Sequence, residues 1–293
     1  MKNCGSKGSI ASMLPMEEKW KKFNSKSSSS SESLKQPSDE ELNGLTELRS
    51  LVDSSVKLKR YNLSDSILLK FLRSRNSVKE ACGLLKSYFG HITSKLDLFS
   101  WDDQVADVIQ SLIYYPYQNR GPNGEVIIGM EIGKWDYGKI KFETIIQASL
   151  FIQEFLLHEE ESCQRSGFIF LVDMRNVSLR HIYQMGVTNA MLLATLTDHC
   201  MPIKPINIHI CFENRFTSLA YSMFRPFLSE ELKRRVVFHG NDMTTLFKYL
   251  PADYVPPNWD GANEEPKLTE IVDKIKNESN QIVKTWDTYR SQN

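Results

Sequence analysis

The chain has no net charge, because 36 Lys and Arg balance 36 Asp and Glu. No global field therefore steers it to nucleic acid or to a membrane, and electrostatic targeting has to be local. Cysteine is scarce. Cys4, Cys82, Cys163, Cys200 and Cys211 make five, an odd number with no CxxC spacing, which speaks against a disulfide framework or a zinc site and for a reducing compartment. No run of about 18 apolar residues occurs, the length a membrane-spanning helix needs. The longest candidate, Ile145 to Leu157, is interrupted by Gln147, Gln153 and Glu154. The N-terminal 36 residues are polar and Ser-rich and do not read as a signal peptide. Lys2 stands where myristoylation needs a glycine.

The motifs of common catalytic chemistry are also missing. Gly129-x-x-x-Gly133-Lys134-Trp135 is one residue short of a phosphate loop, and Trp135 replaces the Ser or Thr that would hold magnesium. There is no GxGxxG and no GxSxG elbow. His158-Glu159-Glu160-Glu161 lacks a second His at i+4, so it reads as a solvated acidic helix end. His181, His199, His209 and His239 are scattered without a paired nucleophile. His209 reads as a core histidine or a ligand contact, and Asp173 as a turn or cap residue at a strand end. No catalytic residue, metal ligand or cofactor is expected, and the chain is read as a non-enzyme.

What is present is regular periodicity. Residues 1–36, with Ser27 to Ser31 in a row, cannot bury enough apolar area to fold and are expected to be disordered. Residues 37–95 read as a small all-helical unit. Ser38 with Glu41 forms a capping box before Leu42, Leu45, Leu48 and Val52. Ser64 caps a second helix with Ile67, Leu68, Phe71 and Leu72 on its apolar face. Ser77 with Glu80 boxes a third, carrying Ala81, Leu84, Leu85, Tyr88 and Phe89. Over residues 100–261 strands alternate with helices, the pattern of an α/β sheet. Helices are expected at Trp101–Ile113, Phe142–Glu161, Ile182–Leu196 and Thr244–Tyr249. Strands are expected at Val126–Ile128 and Phe168–Asp173, the latter apolar throughout as in a parallel sheet buried on both faces. Residues 262–293 read as an amphipathic helix with Leu268, Ile271, Ile275, Ile282, Trp286 and Tyr289 on one side.

The stretch Met201–Gly240 organises the rest. Ile206, Ile208, Ile210 and Phe212 alternate with Asn207, His209 and Cys211 as a strand. Asn214 is expected to cap a helix in which Phe216, Leu219, Ala220, Met223, Phe224 and Phe227 share one face. Pro226 and Ser229 break the chain, and a basic helix with Lys233-Arg234-Arg235 leads into Val236-Val237-Phe238. Leaving that aromatic face in water would forfeit roughly 10 kcal/mol, at about 1.5–3 kcal/mol per large side chain. The protein's own core could cover it, or a lipidic ligand on one side and a membrane on the other.

Four strings of this stretch together resemble the CRAL-TRIO lipid-binding domain: Pro202-Ile203-Lys204, Ile208-His209, Phe224-Arg225-Pro226-Phe227-Leu228 and Phe238-His239-Gly240. The resemblance is closest to the alpha-tocopherol transfer protein branch. Ser66-Ile67-Leu68-Leu69-Lys70-Phe71-Leu72-Arg73-Ser74-Arg75 resembles the family's N-terminal signature, and Trp135-Asp136 its Trp-Asp pair after the first strand. Where the family ends in Leu-Pro-x-x-Tyr-Gly-Gly, this chain has Leu250-Pro251 and then Val255-Pro256-Pro257-Asn258-Trp259-Asp260-Gly261.

The resemblance covers about Leu63 to Gly261. It implies a mainly parallel sheet flanked by helices that enclose a lipid pocket, closed by a mobile lid helix and preceded by the helical unit. It also implies a monomeric cytosolic carrier that exchanges a tocopherol-, retinoid- or phospholipid-like ligand at anionic membranes through transient peripheral contact. The pocket it implies is walled by Phe151, Phe168, Phe170, Val172, Leu192, Leu196, Met201, Ile203, Ile208 and Ile210. The lid is Phe216, Leu219, Ala220, Met223, Phe224 and Phe227. Anionic lipid, with phosphoinositides among the candidates, would meet Lys70, Arg73, Arg75, Lys204, Arg225, Lys233, Arg234 and Arg235. Arg75, Lys204 and Arg235 match the branch's basic cleft, whereas Ile206 and Glu231 stand where that cleft is basic. A lipid-sensing adaptor and an α/β hydrolase or oxidoreductase are the alternatives.

Overall fold

The computed structural model describes residues 36–117, 119–159, 161–263 and 268–292; the disorder expected of residues 1–36 falls almost wholly outside them. The chain begins with three helices, α1 (Asp39–Ser54), α2 (Asp65–Arg73) and α3 (Val78–Ser94). Each starts at a serine whose hydroxyl accepts a backbone N–H of the first turn, from Glu41, Ile67 and Glu80 respectively. The Ser38–Glu41 box is reciprocal, with Glu41 accepting from the Ser38 N–H. The Ser77 box is not: the Glu80 carboxylate reaches one residue further back, to the Asn76 N–H. Next comes α4 (Asp103–Gln110), shorter at both ends than the periodicity suggests. Asp102 caps it through the Val105 N–H at 2.9 Å, and Leu112 turns left-handed at φ 57° just beyond its end.

The sheet follows: β1 (Tyr114–Pro116), β2 (Val126–Glu131), β3 (Phe168–Asp173), β4 (Pro205–Cys211) and β5 (Val236–Phe238), in spatial order 1-2-3-4-5. β1 runs antiparallel to β2, and the remaining neighbours are parallel. Between β2 and β3 lie α5 (Phe142–Glu159) and the short α6 (Glu161–Ser166); between β3 and β4 lies α7 (Leu179–His199). Between β4 and β5 lie α8 (Thr217–Phe224), a 3-10 turn (Arg225–Phe227) and α9 (Glu230–Arg235). Each parallel step moves the same way across the sheet. Right-handed crossovers therefore deliver all these helices to one face.

The opposite face is covered by the segment after β5, whose 3-10 turns are Met243–Lys248, Ala252–Tyr254 and Pro257–Trp259. There Ile127, Ile169, Leu171 and Cys211 pack against Met243, Leu246, Leu250, Tyr254, Val255 and Trp259. The segment closes at Gly261, where a Cβ would lie 1.9 Å from the Val255 carbonyl oxygen, so no larger residue fits. The last helix, α10 (Leu268–Ser291), packs on the main core with Ile275 and Trp286 buried; the side chains of Leu268 and Ile271 lie outside the described ones.

Residues 38–293 form one compact unit. One core joins the N-terminal helices, α5 and α10. Inside it, Lys70 Nζ donates to Glu154 at 3.0 Å, the Tyr88 hydroxyl donates to the other Glu154 oxygen at 2.6 Å, and Trp286 Nε1 donates to the Tyr88 oxygen at 3.1 Å. Lys70 thereby neutralises a carboxylate that would otherwise be buried alone.

Candidate functional site

The helix-covered face of the sheet is not solidly packed. A cavity of about 170 Å³ lies between it and α5, α7, α8 and α9. All five strands contribute to its wall: Tyr114, Met130, Phe170 with Val172, Ile208 with Ile210, and Val236. At roughly 4.8 Å per strand spacing the lining spans about 19 Å. Above it lie Phe142 and Gln153 of α5, Met185, Leu193, Ala194 and Thr197 of α7, and Thr217, Ala220, Tyr221 and Phe224 of α8, with Leu228 and Leu232 beyond. The cause of the void is side-chain size. Ala194, Thr197, Thr217 and Ala220 put short side chains on the helix side of the wall. For scale, an engineered apolar cavity of about 150 Å³ stays dry and admits benzene.

Of the expected pocket residues, Phe170, Val172, Ile208 and Ile210 line this cavity. The other six do not. Phe151 packs edge-on against Trp101 and Trp286, and Phe168, Leu196, Met201 and Ile203 are buried in the main core, with Leu192 packed on it. The reason is position along the strands and helices. Phe168 starts β3, one pair before the lining residues, and Leu192 and Leu196 project from α7 at other angles than Leu193 and Thr197, which do line the cavity.

The roof is rotated relative to the expected apolar face. Thr217, Ala220, Tyr221, Phe224 and Leu228 face the cavity. Phe216 and Met223 pack on the apolar cluster that holds Ile132, Met174, Val177 and Ile182, and Leu219 is exposed. Phe227 is half-buried without lining the wall. The helix also starts later than Asn214. Phe216 is its N-cap, while Asn214 makes a turn before it, accepting the Phe216 N–H at 2.8 Å. Asn214 Nδ2 donates to the carbonyls of Met174 and Val177 at 2.6 and 3.0 Å, which pins the front of the roof to the end of β3. At the rear, Asp198 at the end of α7 accepts the Ser229 N–H at 2.7 Å and its hydroxyl at 3.1 Å.

The basic residues divide into two sets. Lys70 and Arg73 are interior: Lys70 holds Glu154, and Arg73 holds Glu41, Glu161 and Gln164. Glu161 is thus an ion-pair partner rather than part of a solvated acidic end, although His158 is exposed. Burial alone would raise the Glu41 carboxyl, but hydrogen bonds from Arg73, the Ser38 N–H and Arg165 hold it at about 2. Arg75 donates to the carbonyls of Ile203 and Asp198 at 3.0 and 2.9 Å, and its burial lowers the guanidinium from its ordinary range. Arg235 holds the Pro205 carbonyl and Glu231. Lys233 pairs with Glu230 at 2.7 Å, Lys204 is half-buried, and Arg225 and Arg234 are exposed.

His209 lies on the face away from the cavity. It is fully buried, 2.8 Å from His239 Nε2, and His239 Nδ1 is in turn 2.9 Å from the Thr245 hydroxyl. Burial, reinforced by the His239 charge, lowers His209 to about 3. It is a core histidine. Asp173 holds the Arg175 backbone N–H and guanidinium at the strand end. Sequence reasoning did not identify Tyr114 or Gln153 as wall residues. The available signal was that Gln153 interrupts an apolar run, and a buried polar group needs a partner.

The CRAL/TRIO domain model matches residues 110–261, more than half of this chain and the whole of the sheet with its roof. The chain belongs to the CRAL/TRIO domain family. It is 27% identical to "Alpha-tocopherol transfer protein-like" of Mus musculus over 237 residues, 80% of this chain and 69% of that protein. It is 25% identical to "Clavesin-1" of Xenopus laevis over 202 residues, 67% of this chain and 60% of that one. The chain thus spans roughly three fifths to two thirds of the length of these relatives. The crystal structure of Sfh5 aligns with a TM-score of 0.48 and 11% identity, covering 74% of this chain and 85% of that one. The CRAL/TRIO family is one of lipid binding and transfer, and the cavity occupies the heart of the matched region. Among the described residues no helix is long and apolar enough to cross a membrane.

Proposed function

We propose that this chain binds a small hydrophobic ligand in the cavity and exchanges it at anionic membranes, with α8 and its following turn as the moving roof. The observation that carries the reading is the wall itself: all five strands contribute to it, and small residues keep it open. A cavity of about 170 Å³ is below the ~300–1,000 Å³ usual for ligand pockets, so a full-length lipid requires the roof to yield. The roof is fastened at its ends by Asn214 and by Asp198–Ser229, and its centre is held by apolar contact. At a membrane, acyl chains replace those contacts, so opening there costs little.

A docking surface supports the exchange step. Leu179 and Tyr183 before the Gly186 break in α7, Val187 and Met191 after it, and Leu219 on the roof are all exposed. Arg225 and Arg234 are exposed on the segment that follows the roof helix. Each basic residue near an anionic surface contributes about 1 kcal/mol, which makes the contact weak and reversible. We read this attraction as one of charge rather than of phosphoinositide head-group recognition, because Arg75 and Arg235 already bind protein carbonyls. The buried thiols of Cys82, Cys200 and Cys211 suit a cytoplasmic protein. The ligand site needs no second copy, so a monomer suffices.

Native mass spectrometry of the purified chain should find a co-purified hydrophobe, and transfer between labelled vesicles should be faster with the protein than without. Bound lipid without transfer would favour a lipid-sensing adaptor; no bound lipid would end the proposal. Arg225→Glu with Arg234→Glu should lower binding to vesicles rich in anionic lipid by about tenfold and leave neutral vesicles unchanged. Equal loss on both would remove the charge component.

A further inference from the structure

We infer that the preferred ligand is a neutral lipid alcohol, selected by Gln153 with Tyr114 beside it; the inference rests on the proposal above that the cavity holds a hydrophobic ligand. Gln153 on α5 and Tyr114 on β1 both line the cavity and are 5% and 3% exposed. They sit at the β1 edge of the sheet, while the roof enters from the chain between β4 and β5. Gln153 Nε2 donates to the Tyr114 oxygen at 2.9 Å. That bond leaves Gln153 Oε1 buried with no donor. Among the described residues the Tyr114 hydroxyl has no acceptor for its own proton, and burial pushes the phenol up, so the proton stays on.

A buried amide oxygen without a donor is uncommon in a folded protein. Here it lies on the wall of a space that something else must fill. A hydroxyl is the smallest group that answers both vacancies, since it donates to Gln153 Oε1 and accepts from Tyr114. The rest of the wall disfavours other polar ends. Among the described residues no Lys, Arg or His lines the cavity, so a carboxylate or phosphate would enter without a counter-charge. An ether, ester or aldehyde brings acceptors only and leaves Oε1 bare. Turning the amide end for end would present its NH₂ group, which an ether satisfies as well as an alcohol does. The discriminating comparison is therefore alcohol against ether on the same chain length.

The delipidated full-length chain is titrated with 1-hexadecanol, hexadecyl methyl ether and hexadecanoate, each below its aggregation limit, with binding read by native mass spectrometry and by intrinsic tryptophan fluorescence. The alcohol should bind about tenfold more tightly than the ether, a difference of about 1.4 kcal/mol, and more tightly still than the carboxylate. Gln153→Leu keeps the bulk and should abolish that preference by weakening the alcohol alone, leaving the ether within about twofold. Tyr114→Phe, which keeps the ring, should narrow the preference by about two- to threefold. Equal affinity of the unmodified chain for alcohol and ether overturns the inference and leaves the hydrophobic cavity standing, as does an unchanged preference in Gln153→Leu. Failure of all three probes to bind the unmodified chain overturns the reading beneath it. If Gln153→Leu does not fold, the unmodified chain and Tyr114→Phe decide.

Discussion

Ile127, Ile169 and Leu171 point to one face of the sheet, and Met130, Phe170 and Val172 to the other. The two sets are alike in size and apolarity, yet their surroundings differ. The first meets Leu246, Leu250, Tyr254 and Trp259, large side chains on a segment tied down by its own turns, and the space is filled. The second faces Ala194, Thr197, Thr217 and Ala220 on helices that stand off from it, and a cavity remains. Strand sequence thus decides that both faces will be buried. The covering segment decides whether burial is against protein or around a void.

The strongest way to break the comparison is to truncate one large residue on each side. Trp259→Ala should cost about 3–5 kcal/mol, as large-to-small changes in packed cores do, because Trp259 is fully buried among its neighbours. Phe224→Ala should cost less than half of that, since its ring already borders empty space, but should shorten ligand retention several-fold. Denaturant midpoints and a lipid off-rate measurement check the pair. Equal destabilisation would make Phe224 ordinary core.

Adding volume sharpens the same contrast in the opposite sense. Cys211→Leu on the filled face should destabilise by about 1–3 kcal/mol through overpacking. Ala220→Leu on the cavity face should stay within about 1 kcal/mol, because the added carbons enter the void, and should compete with the ligand. Thermal melts with and without bound lipid distinguish these outcomes.

The effect that is smallest at neutral pH is a proton linkage on the filled face. His209 is held at about 3 against an ordinary 6.5. The unfolded chain therefore binds a proton that the folded one refuses, so stability is fully present above 6.5 and declines as pH falls towards 3. His209→Leu should flatten that slope while leaving hydrophobe binding at neutral pH unchanged.

Four of the five strands, the helical start and the helix after β4 were legible because each rests on local periodicity or a capping residue; β1, only Tyr114–Pro116, was not. Ser38 with Glu41 and the continuous run Phe168–Asp173 are examples. The family resemblance reached the right fold, and four of the wall residues it implied, on β3 and β4, line the cavity. What remained hidden depended on distance in three dimensions. Lys70 and Arg73 read as surface cations because nothing near them in sequence shows that Glu154 and Glu41 fold against them. Phe151 and Met201 read as wall because apolarity does not reveal which buried residues border a gap. The roof's inward line differed by one residue because Phe216 and Met223 found partners on α7 and the β3–α7 loop, which left Thr217, Tyr221 and Phe224 to face inward.

Gly186, midway along α7, has φ 67° and ψ 160°, a combination that is essentially reserved for glycine. A Cβ there would touch nothing, so backbone geometry alone sets the requirement. In consequence α7 is two rods meeting at a glycine joint rather than one beam. The first bears Leu179 and Tyr183 outward, the second carries Leu193, Ala194 and Thr197 over the hollow, and a tilt of one need not drag the other with it.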